Sequence, residues 1–363
     1  MIPSKPINLF EYETLAQKQL SQMAWDYYAS GAWDEVTLKD NCAAFNRYRL
    51  YPRMLVDVSQ RDLTTTILGQ SLSAPILIAP MAFQCLANPA GEVATAKAAA
   101  SLGVGMVLST LATKSMAEVA IANPHTWFQL YIHRDRGLTR ALVEYAYKCG
   151  ATALCVTVDA PLLGKRERDT RNQFVLPPGM ELANLSNLKD LDIPHRQGES
   201  GLFAYFAEQL DPGVTWKDLA WLRSLVPLPL VVKGILRSDN AVRALEVGVD
   251  AIIISNHGGR QLDGAIATID AVAEIVAAIG DRATVLMDGG IRRGTDILKA
   301  LALGAKAVLV GRPVLWGLAV AGETGVQHVI EILRDELSLA MALSGCAKLS
   351  EIDRSLVNLK VKS

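Results

Sequence analysis

The stretch Ala251–Gly264 has the sequence AIIISNHGGRQLDG, in which a short apolar run is followed at once by polar residues and glycines. The run Ala251–Ser255 predicts a strand buried on both faces, because it is continuously apolar rather than alternating. His257 and Arg260 follow on one short loop, separated by two glycines. Two interpretations are open: a tight turn with a solvated arginine, or a base and an anion-binding group at the mouth of a barrel.

The same pattern of a short apolar run and a longer helical stretch repeats from residue 75 onward. The runs are Pro75–Ala79, Gly105–Ser109, Trp127–Tyr131, Ala153–Val158, Leu230–Lys233, Ala251–Ser255, Thr284–Asp288 and Ala307–Gly311. The helices predicted between them are Gly91–Leu102, Met116–Ala122, Leu138–Lys148, Asn240–Val247, Thr268–Ile279 and Thr295–Leu303. Several of these helices are followed by a glycine, which is a common stop signal. Eight strand–helix units in series predict an α/β fold, a (β/α)8 TIM barrel, and favour it over a doubly wound sheet.

The 363 residues predict one domain, since α/β barrels of this length are common. We expect residues 1–70 to form N-terminal capping helices, residues 75–320 the barrel, and residues 321–363 C-terminal helices. The connection 161–217, between the fourth and fifth strands, is abnormally long and rich in Gly, Pro, Asn and charge. A loop of this size is typical of a lid over an active site or of partial disorder.

Composition argues against several classes of partner. The net charge of −1 indicates neither nucleic acid nor an anionic membrane surface. No apolar segment approaches the ~18 residues of a membrane span, and the N-terminus lacks the apolar core of a secretory signal. The five cysteines show no CxxC spacing, and the last residues do not form a peroxisomal address. We therefore expect a cytoplasmic protein with reduced thiols and no metal site.

Polar or charged side chains follow seven of the eight predicted strands, at the C-terminal rim where chemistry gathers in this fold. In strand order they are Ser109; Gln129 and Tyr131; Thr157 and Asp159; Lys233; Ser255, His257 and Arg260; Asp288 and Arg292; and Arg312. Each one alone has a structural explanation, such as a backbone cap, a solvated rim charge or core packing. A packed barrel needs none of them, so their occurrence at one rim predicts a functional site.

The ends of the last two strands predict a phosphate site, because phosphate groups commonly bind there in this fold. Gly289, Gly290 and Gly311 allow a close backbone approach, and each glycine segment is followed within two residues by an arginine, Arg292 or Arg312. Two ordinary strand-to-helix turns are the alternative. Since the rest of the rim indicates redox chemistry, the phosphate is expected to belong to a cofactor.

A second group predicts a base and a carboxylate clamp. An arginine fork such as that of Arg260 matches a carboxylate with two hydrogen bonds, and Arg166 would hold the same group from the side of the long connection. A histidine whose other ring nitrogen faces a carboxylate is fixed in one tautomer and is a better base. Asp159 is the carboxylate available to His257, and this pairing requires the two side chains to lie within hydrogen-bond distance.

Several segments resemble the FMN-dependent L-2-hydroxy acid oxidases, particularly the glycolate and lactate oxidases. The segments are YYASGAWDEVTL, WFQLY, VTVDAPLLGKRERD, LVVKG, SNHGGRQLDG and MDGGIRRGTDILKALALGA, and they occur in the family's order and spacing. The resemblance extends from about residue 7 to residue 355. It implies bound FMN, oxidation of a small L-2-hydroxy acid to a 2-oxo acid, reduction of O2 to hydrogen peroxide, and a homotetramer or octamer.

The resemblance also implies roles for individual residues. For catalysis and substrate it implies the base His257, its partner Asp159, the carboxylate clamp Arg166 and Arg260, the substrate-contacting Tyr27 and Tyr131, and Lys233 beside the flavin. For FMN it implies the segment Pro80, Met81 and Ala82 packed on the flavin, contacts from Ser109, Gln129, Tyr131, Thr157, Lys233 and Ser255, and a ribityl and phosphate site of Asp288, Gly289, Gly290, Arg292, Gly311 and Arg312.

Two positions that face the substrate depart from the glycolate oxidase pattern. Leu111, in LSTLATKS, stands where those enzymes usually carry Trp, and Met81 stands where they usually carry a small polar residue. Leu111 leaves more room, so a methyl group on the substrate is favoured by about 1–3 kcal/mol at most. L-lactate, oxidised to pyruvate, is therefore the expected substrate, and glycolate, oxidised to glyoxylate, is the alternative. In the lid, Phe203, Tyr205 and Phe206 either refill this space or pack within a short helix.

Three other functions stand beside this one. The same flavoprotein could pass electrons to a quinone or cytochrome, although the sequence shows no fused haem domain and no membrane segment. A barrel of the inosine monophosphate dehydrogenase kind needs a nucleophilic cysteine at the rim, and Cys85, in FQCLAN, lacks the expected Gly-rich loop. A non-catalytic flavin-binding module is disfavoured by the complete base and clamp.

Overall fold

The computed structural model describes residues 5–186 and 200–359. Eight parallel strands form one closed barrel. They are β1 Ile76–Ile78, β2 Gly105–Leu108, β3 Thr126–Leu130, β4 Leu154–Thr157, β5 Leu230–Ile235, β6 Ala251–Ile254, β7 Thr284–Asp288 and β8 Ala307–Val310. Each strand pairs with its neighbour in the sequence, and β8 pairs with β1 to close the barrel. The predicted (β/α)8 barrel is confirmed, and the doubly wound alternative is wrong.

Helices surround the barrel. In chain order they are α1 Leu9–Gln19, α2 Gln22–Ala29, α3 Val36–Ala43, α4 Gly91–Leu102, α5 Met116–Ala122, α6 Arg136–Lys148, α7 Glu167–Arg171, α8 Ala183–Ser186, α9 Gly201–Gln209, α10 Trp216–Arg223, α11 Ser238–Glu246, α12 Thr268–Ile279, α13 Gly294–Ala302 and α14 Arg312–Leu343. The helices predicted between the strands all exist, with ends that differ by at most two residues. Gly103, which follows α4, adopts the left-handed conformation of the predicted stop signal (φ 63°). No helix among the described residues is long and apolar enough to cross a bilayer.

Alternate residues of each strand face the inside of the barrel, where they form a packed core of their own. This inner core contains Leu77, Val107, Trp127, Cys155, Val231, Ile253, Leu286 and Leu309. The intervening residues face the helices and belong to a second, larger core. The hairpin of Thr65–Ile67 with Gln70–Leu72, which leads into β1, adds Ile67 and Leu72 to the inner core. Because the inside is filled, a ligand can bind only above the strand ends.

The N-terminal helices are tied to distant parts of the barrel. On α1, the Tyr12 hydroxyl lies 2.8 Å from the His328 ring on α14. On α3, the amide of Asn41 exchanges two hydrogen bonds, of 2.9 and 2.8 Å, with the amide of Asn256 directly after β6. Both amides are buried. The segment before the barrel therefore forms part of the catalytic rim.

The lid after β4 is more regular than its composition suggests. It contains α7, α8, α9 and the first residues of α10, while residues 187–199 lie outside the described residues. Backbone hydrogen bonds anchor both ends of α9: Gly201 N–H donates to the Phe174 carbonyl (2.8 Å), and Arg134 N–H donates to the Gln209 carbonyl (2.9 Å). These helices are short, so apolar periodicity did not predict them.

The region after residue 320 is also more varied than the predicted C-terminal helices. The helical conformation of α14 is interrupted at Ala321 and Gly322 and then resumes. Two short 3₁₀ turns follow, and the strand Val357–Leu359 then pairs antiparallel with Tyr48–Leu50. The C-terminal segment is thereby joined to the N-terminal one.

We expect Asn41→Ala to lower the free energy of unfolding by about 1–3 kcal/mol, because it removes both hydrogen bonds that join the buried Asn256 amide to α3. Urea unfolding followed by circular dichroism measures this. Lys97→Ala, on the exposed side of α4, is the control and should change stability by less than about 0.5 kcal/mol. Equal stabilities for the two variants would show that the amide pair does not fasten α3 to the rim.

Candidate active site

A cavity opens at the C-terminal rim of the barrel. The predicted site residues that line it are Tyr27, Pro80, Met81, Ala82, Ser109, Leu111, Gln129, Tyr131, Thr157, Arg166, Lys233, His257, Arg260, Asp288, Gly289, Gly290, Arg292, Gly311 and Arg312. The two others, Asp159 and Ser255, lie behind the lining, where each hydrogen-bonds to His257. The structure thus brings all the predicted positions to one place.

Two hydrogen bonds hold His257 in place. Its Nδ1–H donates to Asp159 Oδ1 at 2.7 Å, and its backbone N–H donates to Ser255 Oγ at 3.0 Å. Its backbone has a φ of 59°, a strained conformation for a residue with a side chain. The other ring nitrogen, Nε2, faces the cavity, where the Tyr131 hydroxyl lies 3.5 Å away. The arrangement leaves Nε2 available to accept a proton.

The position of Asp159 depends on a glycine in the neighbouring strand. Gly234 sits at an irregularity between β5 and β6, with a φ of 111°. A Cβ atom there would lie only 2.6 Å from the Asp159 Cβ. The sequence LVVKG therefore serves two purposes, because it delivers Lys233 to the rim and leaves space for the carboxylate that orients His257.

Burial and charge set the protonation of the pair. Burial lowers the pKa of His257, and Lys233 and Arg166 act in the same direction, against the opposing effect of Asp159. Burial raises the pKa of Asp159, but His257 and Lys233 outweigh burial and bring that pKa below its ordinary value. The resting pair is therefore an ionised carboxylate beside a neutral imidazole, which is the state that a general base requires.

Lys233 places a positive charge at the floor of the cavity. Its Nζ donates to Ser255 Oγ at 2.8 Å and lies 3.0 Å from Asp288 Oδ2. Burial lowers its pKa, but Asp288 and Asp159 outweigh burial and raise the pKa above its ordinary value. The ammonium group therefore remains protonated and can stabilise negative charge in the cavity.

Two arginines lie side by side at the wall. Arg260 donates to the backbone carbonyls of Tyr27 (2.6 Å) and Ser30 (2.9 Å), and its guanidinium carbon lies 4.9 Å from the centre of the Tyr27 ring. Among the described residues, Arg166 makes two long hydrogen bonds, of 3.4 Å to the Arg260 carbonyl and 3.5 Å to Gln261 Oε1, and a loose ion pair of 3.8 Å with the buried Asp169. Burial, followed by the neighbouring Arg260, lowers the pKa of Arg166 to about 10. Two incompletely neutralised guanidinium groups form a binding place for a carboxylate.

Further cations lie at the ends of β7 and β8. Arg312 donates to the carbonyls of Tyr28, Gly258 and Ser30, at 2.9 to 3.0 Å, so these bonds do not cancel its charge. Burial is the main cause that lowers its pKa, to about 9, and Arg260 and Arg292 add to the shift. The guanidinium carbon of Arg292 lies 4.8 Å from the Trp316 ring centre. This end of the cavity suits a phosphate group.

Comparison with known proteins decides the family. The model of the FMN-dependent dehydrogenase family matches residues 16–359. The chain belongs to this family. An L-lactate oxidase of a Nostoc species is 67% identical and aligns over 98% of this chain and 99% of its own. A glycolate oxidase of Spinacia oleracea is 50% identical, over 96% of this chain and 94% of its own. The crystal structure of a mandelate oxidase has a TM-score of 0.94 and 40% identity, over 98% of this chain and 99% of its own. Within the family, the chain is an FMN-dependent 2-hydroxy acid oxidase.

The residues of this oxidase fit FMN. Gln129 accepts hydrogen bonds from Ser109 Oγ and Thr110 N–H, both at 3.2 Å, and its buried Nε2 has no hydrogen-bond partner among the described residues. A free amide donor on the cavity wall suits a ring that carries carbonyl oxygens, and Asp288 Oδ1, also without a partner, is an acceptor for hydroxyl groups. The arginines after β7 and β8 complete the set with a site for the phosphate.

Helix α9 of the oxidase contributes a wall that the sequence only partly predicts. Phe206 lines the cavity, and its ring meets the Tyr131 ring edge to face, with 5.4 Å between the two ring centres. Leu202 lies on the same wall. Phe203 is 45% exposed, so it does not refill the space beside Leu111. Tyr205 instead packs behind the helix, 3.0 Å from His133 Nε2.

Some contacts at the site have little signal in the sequence. Gln261, which follows Arg260 directly, donates to the carbonyls of Asp159 and Leu162 and so fastens the lid to the β6 loop. Its position directly after Arg260 was the one available clue in the sequence.

Cys85 lies outside the cavity lining, with its Sγ 3.4 Å from the Pro89 carbonyl. The inosine monophosphate dehydrogenase interpretation is therefore wrong.

We expect His257 to titrate below its ordinary value of 6.5, because burial outweighs the effect of Asp159. In Asp159→Asn the midpoint should fall further, since the carboxylate that raises it is gone. NMR of histidine-labelled protein measures both midpoints. His328, on α14, is the internal control and should not respond to the substitution. A midpoint above 6.5 in the parent protein would contradict the neutral resting state.

Proposed function

We propose that this chain oxidises small L-2-hydroxy acids to 2-oxo acids, with L-lactate as its main substrate and O2 as the electron acceptor. The overall reaction is L-lactate plus O2 giving pyruvate plus hydrogen peroxide. One observation carries the proposal: a histidine held by a carboxylate at 2.7 Å shares a cavity with two adjacent arginines, of which Arg166 is buried and Arg260 is half-buried. A base and a pair of anion-binding arginines in one cavity suit the removal of a proton from a small hydroxy acid.

The side chains divide the work. Arg166 and Arg260 bind the substrate carboxylate, and Tyr27, beneath Arg260, supports the clamp. His257 accepts one substrate proton at Nε2, and Asp159 stabilises the resulting imidazolium. FMN, when bound, takes up the two electrons. Lys233 offsets the negative charge that arrives with them.

The shape of the wall supports L-lactate over glycolate. Leu111 and Met81 both line the cavity. Neither side chain offers a hydrogen-bonding group that would favour glycolate, which lacks the methyl group of L-lactate. With Leu202 and Phe206 they form an apolar boundary that suits one methyl group, and the L-lactate oxidase relative at 67% identity supports the same choice. Glycolate is the second candidate, favoured by the similarity to the spinach enzyme.

The choice of O2 as acceptor is supported by the relatives, which are named oxidases. Electron transfer to a quinone or cytochrome is the competing proposal.

We also propose that the chain forms a homotetramer, or an octamer, in the cytoplasm. Exposed apolar side chains at Met54, Leu55, Leu339 and Leu343 support self-association, since a hydrogen bond of 3.1 Å from Arg53 N–H to the Ser344 carbonyl brings the two segments together.

Stopped-flow absorbance tests this function. The purified yellow protein is mixed anaerobically with L-lactate or with glycolate, and O2 is then admitted. Faster bleaching with L-lactate and rapid recovery in O2, with one hydrogen peroxide formed per pyruvate, are expected. Faster bleaching with glycolate would make glycolate the substrate, and slow recovery would assign the chain to the dehydrogenases.

We expect His257→Gln to retain FMN and to lose turnover by about 10²–10⁴-fold, because it removes the base without removing the phosphate site. The flavin spectrum and the anaerobic rate of bleaching measure the two effects separately. His125→Gln, on the loop before β3, is the control. Turnover within the range of the control would exclude His257 as the base.

We expect Leu111→Trp to shift the ratio of kcat/KM for L-lactate over glycolate towards glycolate by roughly 10–100-fold, because the indole fills the space of the methyl group. Steady-state kinetics with both substrates measures the ratio. Leu111→Met keeps the volume and should leave the ratio nearly unchanged. An unchanged ratio in the Trp variant would show that other residues set the preference.

A further inference from the structure

A second cavity lies next to the active site. It is bounded by the ends of β3, β4 and β5 and by the first turns of α10 and α11. Tyr131 and Thr157 line both cavities. At these two positions a single layer of side chains separates the second cavity from the site of oxidation.

The second cavity changes in character from its mouth to its floor. Exposed residues at the mouth are Pro161, Pro212 and Thr215. The floor is apolar and buried, and consists of Ile132, Ala160, Leu210, Leu219 and Ile235. The cavity therefore leads from solvent to an apolar surface that ends at the active-site wall.

The charges of the second cavity do not suit the hydroxy acid. Its one charged lining residue within the described chain is Asp211, which is acidic and already paired with Arg136 at 2.6 Å. An anionic substrate would meet no free cation there, whereas the first cavity offers two arginines. The lining also includes the uncharged polar residues Thr157, Thr215 and Asn240, and its buried floor is apolar. A small uncharged molecule therefore suits this cavity better than an anion does, and the floor favours an apolar one.

The first cavity is bounded by Leu202 and Phe206 of α9. During turnover the hydroxy acid or its product would occupy it, on Arg166 and Arg260. O2 is small and apolar, and it must reach the same reaction centre. We propose that the second cavity is the route by which O2 reaches the active site, past Tyr131 and Thr157. This proposal rests on the oxidase function proposed above, and it separates the path of the gas from that of the acid.

Val214→Trp tests the route. Val214 is half-buried, lines the second cavity in the loop before α10 and does not line the first. The larger ring should narrow the cavity and lower the second-order rate constant for reoxidation by O2 by about tenfold. The rate of anaerobic reduction by L-lactate should stay unchanged, which also reports folding and FMN content. Val214→Ala should reoxidise at least as fast as the parent.

Val247→Trp is the matched control. Val247 is half-buried like Val214 but lines neither cavity and lies between α11 and the start of β6, at the opposite end of the barrel, so both half-reactions should keep their parent rates. Saturating pyruvate provides a second measurement. If O2 uses the second cavity, pyruvate should leave reoxidation of the parent nearly unchanged, whereas strong inhibition by pyruvate would place the route at the first mouth and overturn the proposal.

The outcomes separate the two proposals. Normal reduction with normal reoxidation in Val214→Trp overturns the O2 route and leaves the oxidase function intact. A parent protein that L-lactate and glycolate fail to bleach, or that O2 fails to reoxidise, overturns the oxidase function instead. Slow reoxidation in Val214→Trp alone, with the Val247 control at parent rates, supports both.

Discussion

Closure of the parallel barrel is the constraint on which the rest of the molecule depends. The short strand β1 is hydrogen-bonded to β2 on one side and to β8 on the other, so no strand of the barrel remains an edge. Closure of a parallel sheet brings every C-terminal strand end to the same ring. The packed interior prevents a ligand from entering the barrel, and chemistry is therefore confined to the space above that ring.

The second constraint is electrostatic. Five cations, Lys233, Arg166, Arg260, Arg292 and Arg312, line one cavity, and burial opposes the charge of several of them. At the floor of the cavity, Asp159 and Asp288 compensate the positive charge of Lys233, which keeps its proton. The wall and the phosphate end keep an excess of positive charge. The phosphate of FMN and a substrate carboxylate would complete the balance of charge.

The sequence predicts the rim well because the rim is a consequence of strand position. Once the eight apolar runs are recognised, the polar residues after each run must meet, and His257 and Asp159 do meet. Contacts that depend on segments far apart in the sequence carry no such periodic signal. The amide pair of Asn41 and Asn256 and the wall formed by Leu202 and Phe206 belong to this class, since the packing of α3 and α9 on the rim sets their positions.

The carbonyls that hold the arginines have a consequence for biosynthesis. Arg260 is fixed by Tyr27 and Ser30, and Arg312 by Tyr28 and Ser30, across sequence separations of 230 to 284 residues. While the chain is being translated, the N-terminal segment has no rim to dock on until the eighth strand has emerged from the ribosome. The anion site is therefore completed after nearly the whole chain has been synthesised, and an incomplete polypeptide, however helical, cannot assemble it.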